Sequence, residues 1–260
     1  MLNAQLKTAL LLHQRGLLDE AEKIYRDLLV LDPKNSFALH FSGLLESQKG
    51  KHEAALDRIN TSIQLTPNKS EFHSNRGKVL HELHRFDEAI DACTRAIQIN
   101  SKNSEAFFNR GNSHKSLGCF EHALGDFESA VEINPNYAKA WSNMGSALNA
   151  LQKFERALVS FDRALSIDPY FAEAHTNRGV ALMGLFRLKE AVDAHDAAIS
   201  IRPKFSQAFS NRGTAKIQNS SLEDGLKDLL TAFEIEPEKD RKSTRLNSSH
   251  EWISRMPSSA

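Results

Sequence analysis

The 260-residue sequence has little of what disulfide-rich, membrane or nucleic-acid-binding proteins need. Its two cysteines, Cys93 and Cys119, are too few for a disulfide framework or a four-ligand zinc site, and we expect both to be reduced. The apolar run Ala9 to Leu12 is too short for a secretory signal or a membrane span. Basic and acidic residues number 33 each, so the formal net charge is zero and gives no indication of a nucleic-acid or anionic membrane partner. These absences favour a soluble cytoplasmic protein.

Proline and glycine follow one period of 34 residues. The prolines before residue 240 stand at Pro33, Pro67, Pro135, Pro169, Pro203 and Pro237, and Ser101 occupies the midpoint of the double-length gap. Glycine repeats on the same period at Gly43, Gly77, Gly111, Gly145, Gly179 and Gly213. Two residue types on one period indicate a tandem repeat. A repeat unit cannot bury its apolar face alone, so we expect the units to stack.

The period divides residues 2–239 into seven units without an insertion. The units are 2–35, 36–69, 70–103, 104–137, 138–171, 172–205 and 206–239. Each unit shows two amphipathic helical patterns, as in Ala138 to Leu151 and Phe154 to Ile167 of the fifth unit. A closing Asp-Pro or Asn-Pro ends the second helix, because the residue before proline disfavours the helical conformation. The sequence predicts an all-α protein of seven helix-turn-helix repeats.

Small residues at two unit positions predict close helix packing. Position 8 is glycine in six units, and position 20 is alanine in six units, with Gly225 in the seventh. Glycine inside a helix costs roughly 1 kcal/mol relative to alanine. We therefore expect position 8 to lie where the paired helices of a unit approach each other.

The full pattern resembles the tetratricopeptide repeat. A large residue, glycine, a large residue, alanine, phenylalanine or tyrosine, alanine and proline follow in order through a 34-residue unit, over all of residues 2–239. The resemblance implies a right-handed α-solenoid whose first helices line a concave groove. It also implies that the protein binds a protein or peptide and needs no cofactor or metal. Nothing in the sequence indicates an oligomeric state.

An asparagine recurs at position 6 of five consecutive units. Asparagine is a poor residue for a helix interior, so its repetition needs a reason. One interpretation is structural, with each amide bonding a local backbone group or the neighbouring repeat. The other is a ladder of amides that binds an extended peptide backbone, as the resemblance to the repeats of O-linked N-acetylglucosamine transferases implies. The candidate peptide-binding residues are Asn75, Asn109, Asn143, Asn177 and Asn211.

Other constellations favour structural roles. Four of the asparagines are followed by arginine, at Arg76, Arg110, Arg178 and Arg212, and we expect these to pair with acids on a neighbouring helix. Cys93 and His195 share position 24 with Phe127 and Phe161, which indicates core packing. The two-carboxylate clamp of chaperone-binding relatives is not matched, since Phe108 and Glu173 replace its lysines and Asn177 its arginine. No nucleophile–base pair or phosphate loop is present, so the sequence predicts no catalytic site.

Residues 240–260 resemble the translation of a sequencing adapter. Asp240 to His250 match one adapter frame, and Ser254 to Ala260 match its continuation after an index-sized gap. The alternative is a natural disordered tail. The resemblance predicts that this segment packs against nothing and that the chain is a fragment of a longer protein.

Two functional hypotheses follow. The first is a protein-interaction scaffold that binds an extended segment through the asparagine ladder. The alternative is the substrate-recruiting N-terminal arm of a truncated enzyme. The opening units resemble those of bacterial repeat proteins that continue into glycosyltransferase domains.

Overall fold

The computed structural model describes the backbone of residues 2–236 and the side chains from Ala4 onward. Those residues form fourteen α-helices and no strand, as the all-α prediction requires. The helices are α1 (Leu2–Gln14), α2 (Leu18–Leu31), α3 (Ser36–Gln48), α4 (His52–Leu65), α5 (Ser70–Glu82), α6 (Phe86–Ile99), α7 (Ser104–Ser116), α8 (Phe120–Ile133), α9 (Ala138–Ala150), α10 (Phe154–Ile167), α11 (Ala172–Gly184), α12 (Leu188–Ile201), α13 (Ser206–Gln218) and α14 (Leu222–Ile235).

Local sequence explains where the helices begin and end. The Asn35 and Asn103 side chains cap α3 and α7, each accepting a backbone N–H bond of 3.0 Å from the third residue onward. Between paired helices the chain passes through a left-handed residue, which is glycine in three units, at Gly16, Gly50 and Gly118. Glycine is the residue most often found in this conformation at the end of a helix. His84, Gln152, Phe186 and Ser220 take the same conformation elsewhere.

The helices belong to two compact units. The first unit ends at Leu151 and contains α1 to α9; the second begins at Gln152 and contains α10 to α14. In the first, α1 packs on α2, α3 on α4, α5 on α6 and α7 on α8, and each second helix also packs on the first helix that follows it. In the second, α11 packs on α12 and α13 on α14, with α10 on α11 and α12 on α13. The predicted packing of consecutive helix pairs is confirmed.

The position-8 glycines lie where paired helices touch, as predicted. A Cβ atom added to Gly77 would lie 2.3 Å from Sγ of Cys93, and one added to Gly111 would lie 2.8 Å from Cε1 of Phe127. Both neighbours are fully buried at position 24 of the same repeat. Because contacts this short do not occur between real atoms, only glycine fits without a rearrangement.

His195 occupies position 24 of the sixth repeat, which lies in the second compact unit. It is fully buried, and its ring packs on Gly179, where an added Cβ would lie 2.5 Å from Cε1. Both ring nitrogens lack a hydrogen-bond partner among the described residues. Burial lowers the pKa of His195 to about 4, so the ring is neutral near pH 7. The expected packing role is confirmed, at the cost of two unsatisfied polar atoms.

The domain boundaries proposed from the sequence, seven repeats followed by a tail, stay a prediction. Residues 237–239 of the seventh predicted unit, and all of the adapter-like segment 240–260, lie outside the described residues.

Candidate peptide-binding site

Three of the candidate asparagines lie on consecutive first helices of the first unit. Asn75 is on α5, Asn109 on α7 and Asn143 on α9, and each side chain is half-buried. In each, Nδ2 donates to the preceding first helix. Asn75 donates to Nε2 of His40 at 3.0 Å, Asn109 to Oγ of Ser74 at 3.2 Å, and Asn143 to Oδ1 of Asn112 at 2.7 Å. The structure therefore contains the inter-repeat bonding of the structural interpretation.

His40 shows how this bonding is built. Its side chain is buried and stacks on Phe72 with ring centroids 4.1 Å apart. Burial lowers the pKa of His40 to about 4, so the ring is neutral near pH 7. Because Nδ2 of Asn75 can only donate, the bond assigns the ring proton to Nδ1 and makes Nε2 the acceptor. Sequence reasoning missed both His40 and Ser74 as partners. Their shared signal is a polar residue 35 positions before the asparagine.

Each of these amides keeps bonding capacity after the inter-repeat bond is made. An asparagine amide has two N–H donors and a carbonyl oxygen. Asn75 and Asn143 each make one such bond, whereas Nδ2 of Asn109 also lies 3.4 Å from the carbonyl oxygen of Ser74. No partner for the Oδ1 atoms of Asn75, Asn109 or Asn143 is found within the described part of the chain. The inter-repeat bond fixes the plane of the amide. Its oxygen is thus held in a defined orientation, and so is the second N–H of Asn75 and Asn143.

The surface around Asn75 is open and polar. Asn75 lines a cleft of about 390 Å³ together with His13 of α1, Leu44 of α3, and Lys78 and Glu82 of α5. Lys78 and Glu82 are both exposed. This cleft is formed mainly by first helices, so Asn75 faces a solvent-accessible surface between consecutive repeats.

The remaining two asparagines lie in the second unit. Asn177 is on α11 and Asn211 on α13, and both are half-buried. Nδ2 of Asn211 is buried without a partner among residues 2–236, and so is Oγ1 of Thr176, which precedes Asn211 by 35 residues. That is the spacing of the Asn109–Ser74 bond. The second unit therefore has the same pair of polar groups without a bond between them.

Three of the four arginines pair as expected. Arg110 binds Asp126 through Nε and Nη2, at 3.0 Å to Oδ2 and 2.7 Å to Oδ1, and its Nη1 donates to Thr94 at 3.1 Å. Each partner is 16 residues away along the chain, one on the preceding second helix and one on the second helix of the same repeat. This bidentate geometry suits a guanidinium and a carboxylate.

The second unit repeats this arrangement. Arg178 donates to Asp162 at 2.7 Å, and Arg212 contacts both Asp196 and Asp228. Burial opposes ionisation of Asp228, yet the bonds from Arg212 and Lys216 hold its pKa below its usual value. These arginines stabilise the contact between repeats and are not available to a ligand.

The prediction is wrong for Arg76. Its Nε is buried without a partner among the described residues. The residues 16 before and 16 after it are Asn60 and Ala92, where Arg110 has Thr94 and Asp126. The acid that would complete the pair is missing from the sequence.

Metal sites and membrane spans are both absent from the described residues. No three His, Cys, Asp or Glu side chains of residues 2–236 lie close enough together to hold a metal ion. No helix in that range has the length and apolar character to cross a membrane.

Comparison with known proteins identifies the repeats. The tetratricopeptide repeat family model matches residues 70–103, 104–137 and 138–171. These three segments thus match the tetratricopeptide repeat. They coincide with the third, fourth and fifth units predicted from the period, and they carry Asn75, Asn109 and Asn143.

Solved structures show the same fold. YrrB, a tetratricopeptide-repeat protein with an unusual peptide-binding site, is 21% identical with a TM-score of 0.57, over 73% of this chain and 97% of that chain. Pseudomonas aeruginosa pilF is 18% identical with a TM-score of 0.71, over 80% and 94%. A tetratricopeptide-repeat protein from Parabacteroides merdae is 17% identical with a TM-score of 0.69, over 95% and 97%. No curated protein sequence matches this chain.

At these identities the similarity shows the tetratricopeptide-repeat fold and nothing finer. In all, 471 chains of solved structures match, so the fold is shared by many proteins and does not select a partner.

Proposed function

We propose that this chain is a protein-interaction scaffold that binds an extended segment of a partner across its first helices. In the first unit the binding groups are Asn75, Asn109 and Asn143. Asn177 and Asn211 hold the same repeat position on first helices of the second unit. The observation that carries the proposal is the repeated half-buried amide of the first unit, which is bonded to the preceding helix and whose oxygen has no partner among the described residues.

Such an amide matches the groups that an extended peptide backbone presents. A peptide unit has one donor and one acceptor. Asn75 and Asn143 each keep one N–H and the carbonyl oxygen for a ligand, and Asn109 keeps its carbonyl oxygen. Each net hydrogen bond contributes about 0.5–1.5 kcal/mol, so useful affinity needs several asparagines acting together. Main-chain recognition of this kind accepts many sequences. The peptide-binding site described for YrrB, which has the same fold, supports a peptide ligand for this chain as well.

A selected peptide provides the test. A phage-displayed library of random peptides is selected on the full chain, and the affinity of a recovered peptide is measured by fluorescence anisotropy. The triple variant Asn75→Ala, Asn109→Ala, Asn143→Ala is expected to bind at least about tenfold more weakly, the minimum for three lost bonds. Unchanged affinity of the triple variant would contradict the proposal.

The control variant is Ser74→Ala. It removes the hydroxyl acceptor of Asn109, keeps the weaker contact to the backbone carbonyl of residue 74, and leaves all three asparagines in place. We expect it to lower stability by about 1 kcal/mol and to change affinity far less than the triple variant does. If Ser74→Ala weakens binding as much as the triple variant, the asparagines act by holding the repeats together.

The alternative, a substrate-recruiting arm of a glycosyltransferase, stays a prediction from the resemblance of the opening units. It makes the same demand on the asparagines, because an arm also has to bind a protein segment. Sequencing the source gene beyond codon 239 tests it. A reading frame that continues into a catalytic domain would support the arm, and an early stop codon would exclude it.

A further inference from the structure

A cavity of about 260 Å³ lies in the first unit between α2, α3 and α4, apart from the asparagine surface. Its lining includes Ser42 of α3, Arg26 of α2 and Arg58 of α4. Ser42 stands at position 7 of the second repeat, where the fourth repeat has Arg110. Arg26 and Arg58 stand 16 residues before and after it, where Arg110 has Thr94 and Asp126.

The charges at these places are reversed in the second repeat. In the fourth and seventh repeats one arginine at the centre binds an acid or a hydroxyl on both sides, as in the contacts of Arg212 with Asp196 and Asp228. Here the centre is a small hydroxyl and both flanking residues are arginines. The short Ser42 side chain leaves a cavity where the fourth repeat has an arginine, and the side chains of Arg26 and Arg58 are part of its lining.

Neither arginine has an acidic partner within the described residues. Arg58 Nη1 donates only to Ser42 Oγ, at 3.3 Å, and no ion pair involves Arg26. Two glutamates also line the cavity, and each lies beside a lysine. Glu22 accepts from Lys49 Nζ at 2.7 Å, and Glu46 Oε2 lies 3.4 Å from Lys51 Nζ without a hydrogen-bond partner among the described residues. The two arginines of the lining, in contrast, have no acid beside them.

The remaining walls are apolar. Leu29 and Val30 of α2 and Leu45 of α3 line the cavity, and Val30 is 75% exposed. A ligand that enters can place a charged group between the guanidiniums and an apolar group on Val30. A carboxylate matches the first requirement, because Asp126 and Asp228 satisfy the arginines of the other repeats.

We propose that this cavity binds the acidic side chain of a partner peptide, with an adjacent apolar side chain covering Val30. The carboxylate accepts hydrogen bonds from Arg26 and Arg58 and completes the charge pair that the second repeat lacks. The site does not depend on the asparagine surface, so either proposal stands without the other.

The test uses the full chain and a short synthetic peptide, acetyl-Leu-Glu-Glu-Leu-amide, with the Gln-Gln analogue as the uncharged comparison. Binding is followed through the arginine Nε–H resonances in two-dimensional NMR spectra. We expect saturable shifts at Arg26 and Arg58 with the Glu peptide and none with the Gln peptide. No shift with the Glu peptide would overturn the proposal. Binding of inorganic phosphate without binding of the peptide would overturn it as well.

Three variants complete the design. Arg58→Gln should weaken binding at least about tenfold, the factor for one lost charge-assisted bond. Ser42→Met fills the cavity with the residue that Met144 provides in the fifth repeat, and should abolish binding while the far-ultraviolet circular dichroism stays unchanged. The matched control Arg95→Gln changes an exposed arginine of the same unit and should leave the affinity unchanged. Equal losses from Arg58→Gln and Arg95→Gln would show non-specific charge attraction and overturn the site.

Discussion

Replacing His195 by phenylalanine should stabilise the protein. His195 is fully buried, and both its ring nitrogens lack a partner among the described residues. Phe127 shows that the fold accepts phenylalanine at this unit position, against a glycine placed as Gly179 is placed against His195. The variant His195→Phe removes two unsatisfied polar atoms and keeps a flat ring in the same pocket.

The expected gain can be divided into two parts. An unsatisfied buried polar group costs about 1–3 kcal/mol, so the variant should gain roughly that much near pH 7.5. The second part depends on pH. The unfolded chain takes up a proton near the usual histidine pKa of about 6.5, whereas the folded protein does so only near pH 4. Wild-type stability therefore falls as pH drops from 6.5 to 4, and near pH 5 this loss amounts to about 2 kcal/mol.

Urea unfolding at about pH 7.5 and pH 5 separates these parts. His195→Phe should be more stable at both, with an advantage about 2 kcal/mol larger at the lower pH. A smaller pH dependence remains, because the pKa of buried His40 is also lowered to about 4. The control His122→Phe changes an exposed histidine and should alter stability by no more than about 0.5 kcal/mol. A variant less stable than wild type with an unchanged pH dependence would refute the reasoning.

Two pairs of substitutions test the backbone argument by thermal unfolding. Gly111→Ala places a Cβ 2.8 Å from Phe127 and should cost roughly 1–3 kcal/mol, whereas Gly125→Ala in α8 meets nothing within 4 Å and should gain up to about 1 kcal/mol. Equal effects would place position 8 away from the helix contact. At the turns, Gly50→Ala should cost roughly 0.5–1 kcal/mol and Phe186→Gly should gain a similar amount, because both sites have φ near +60° to +80°. A stability change of the same sign in both variants would show that left-handed backbone strain does not control the stability of these turns.

The repeated features of the fold could be predicted because they recur. The period gave the starts of the helices, and the small residues at position 8 gave the closest helix contacts, as at Gly77 and Cys93. The pairing of Arg110 with an acid also followed from residue types on facing helices. In each case the same residue type recurs at the same position of several repeats, so the prediction did not depend on a single residue.

What could not be predicted depends on the residue that faces a given side chain in three dimensions. Asn143 bonds Asn112 instead of the residue 35 positions earlier, because Phe108 stands there and cannot accept. Arg76 lacks an acid for a similar reason, since Ala92 occupies the facing place. The cavity beside Ser42 was also missed. A small residue such as Ser42 does not indicate a cavity in the sequence until the residues that surround it in three dimensions are known.

The charge pairs have a consequence for how such a chain can change its length. Removing residues 172–205 would join two repeats without a shift in period, and Arg212 would then face Asp162 in place of Asp196. Removing residues 36–69 would instead bring Arg76 against Arg26, two like charges. Loss of a whole repeat is thus compatible with one part of the chain and opposed in another. The charges that face each other between repeats therefore limit which repeats can become neighbours when the gene loses or duplicates a repeat.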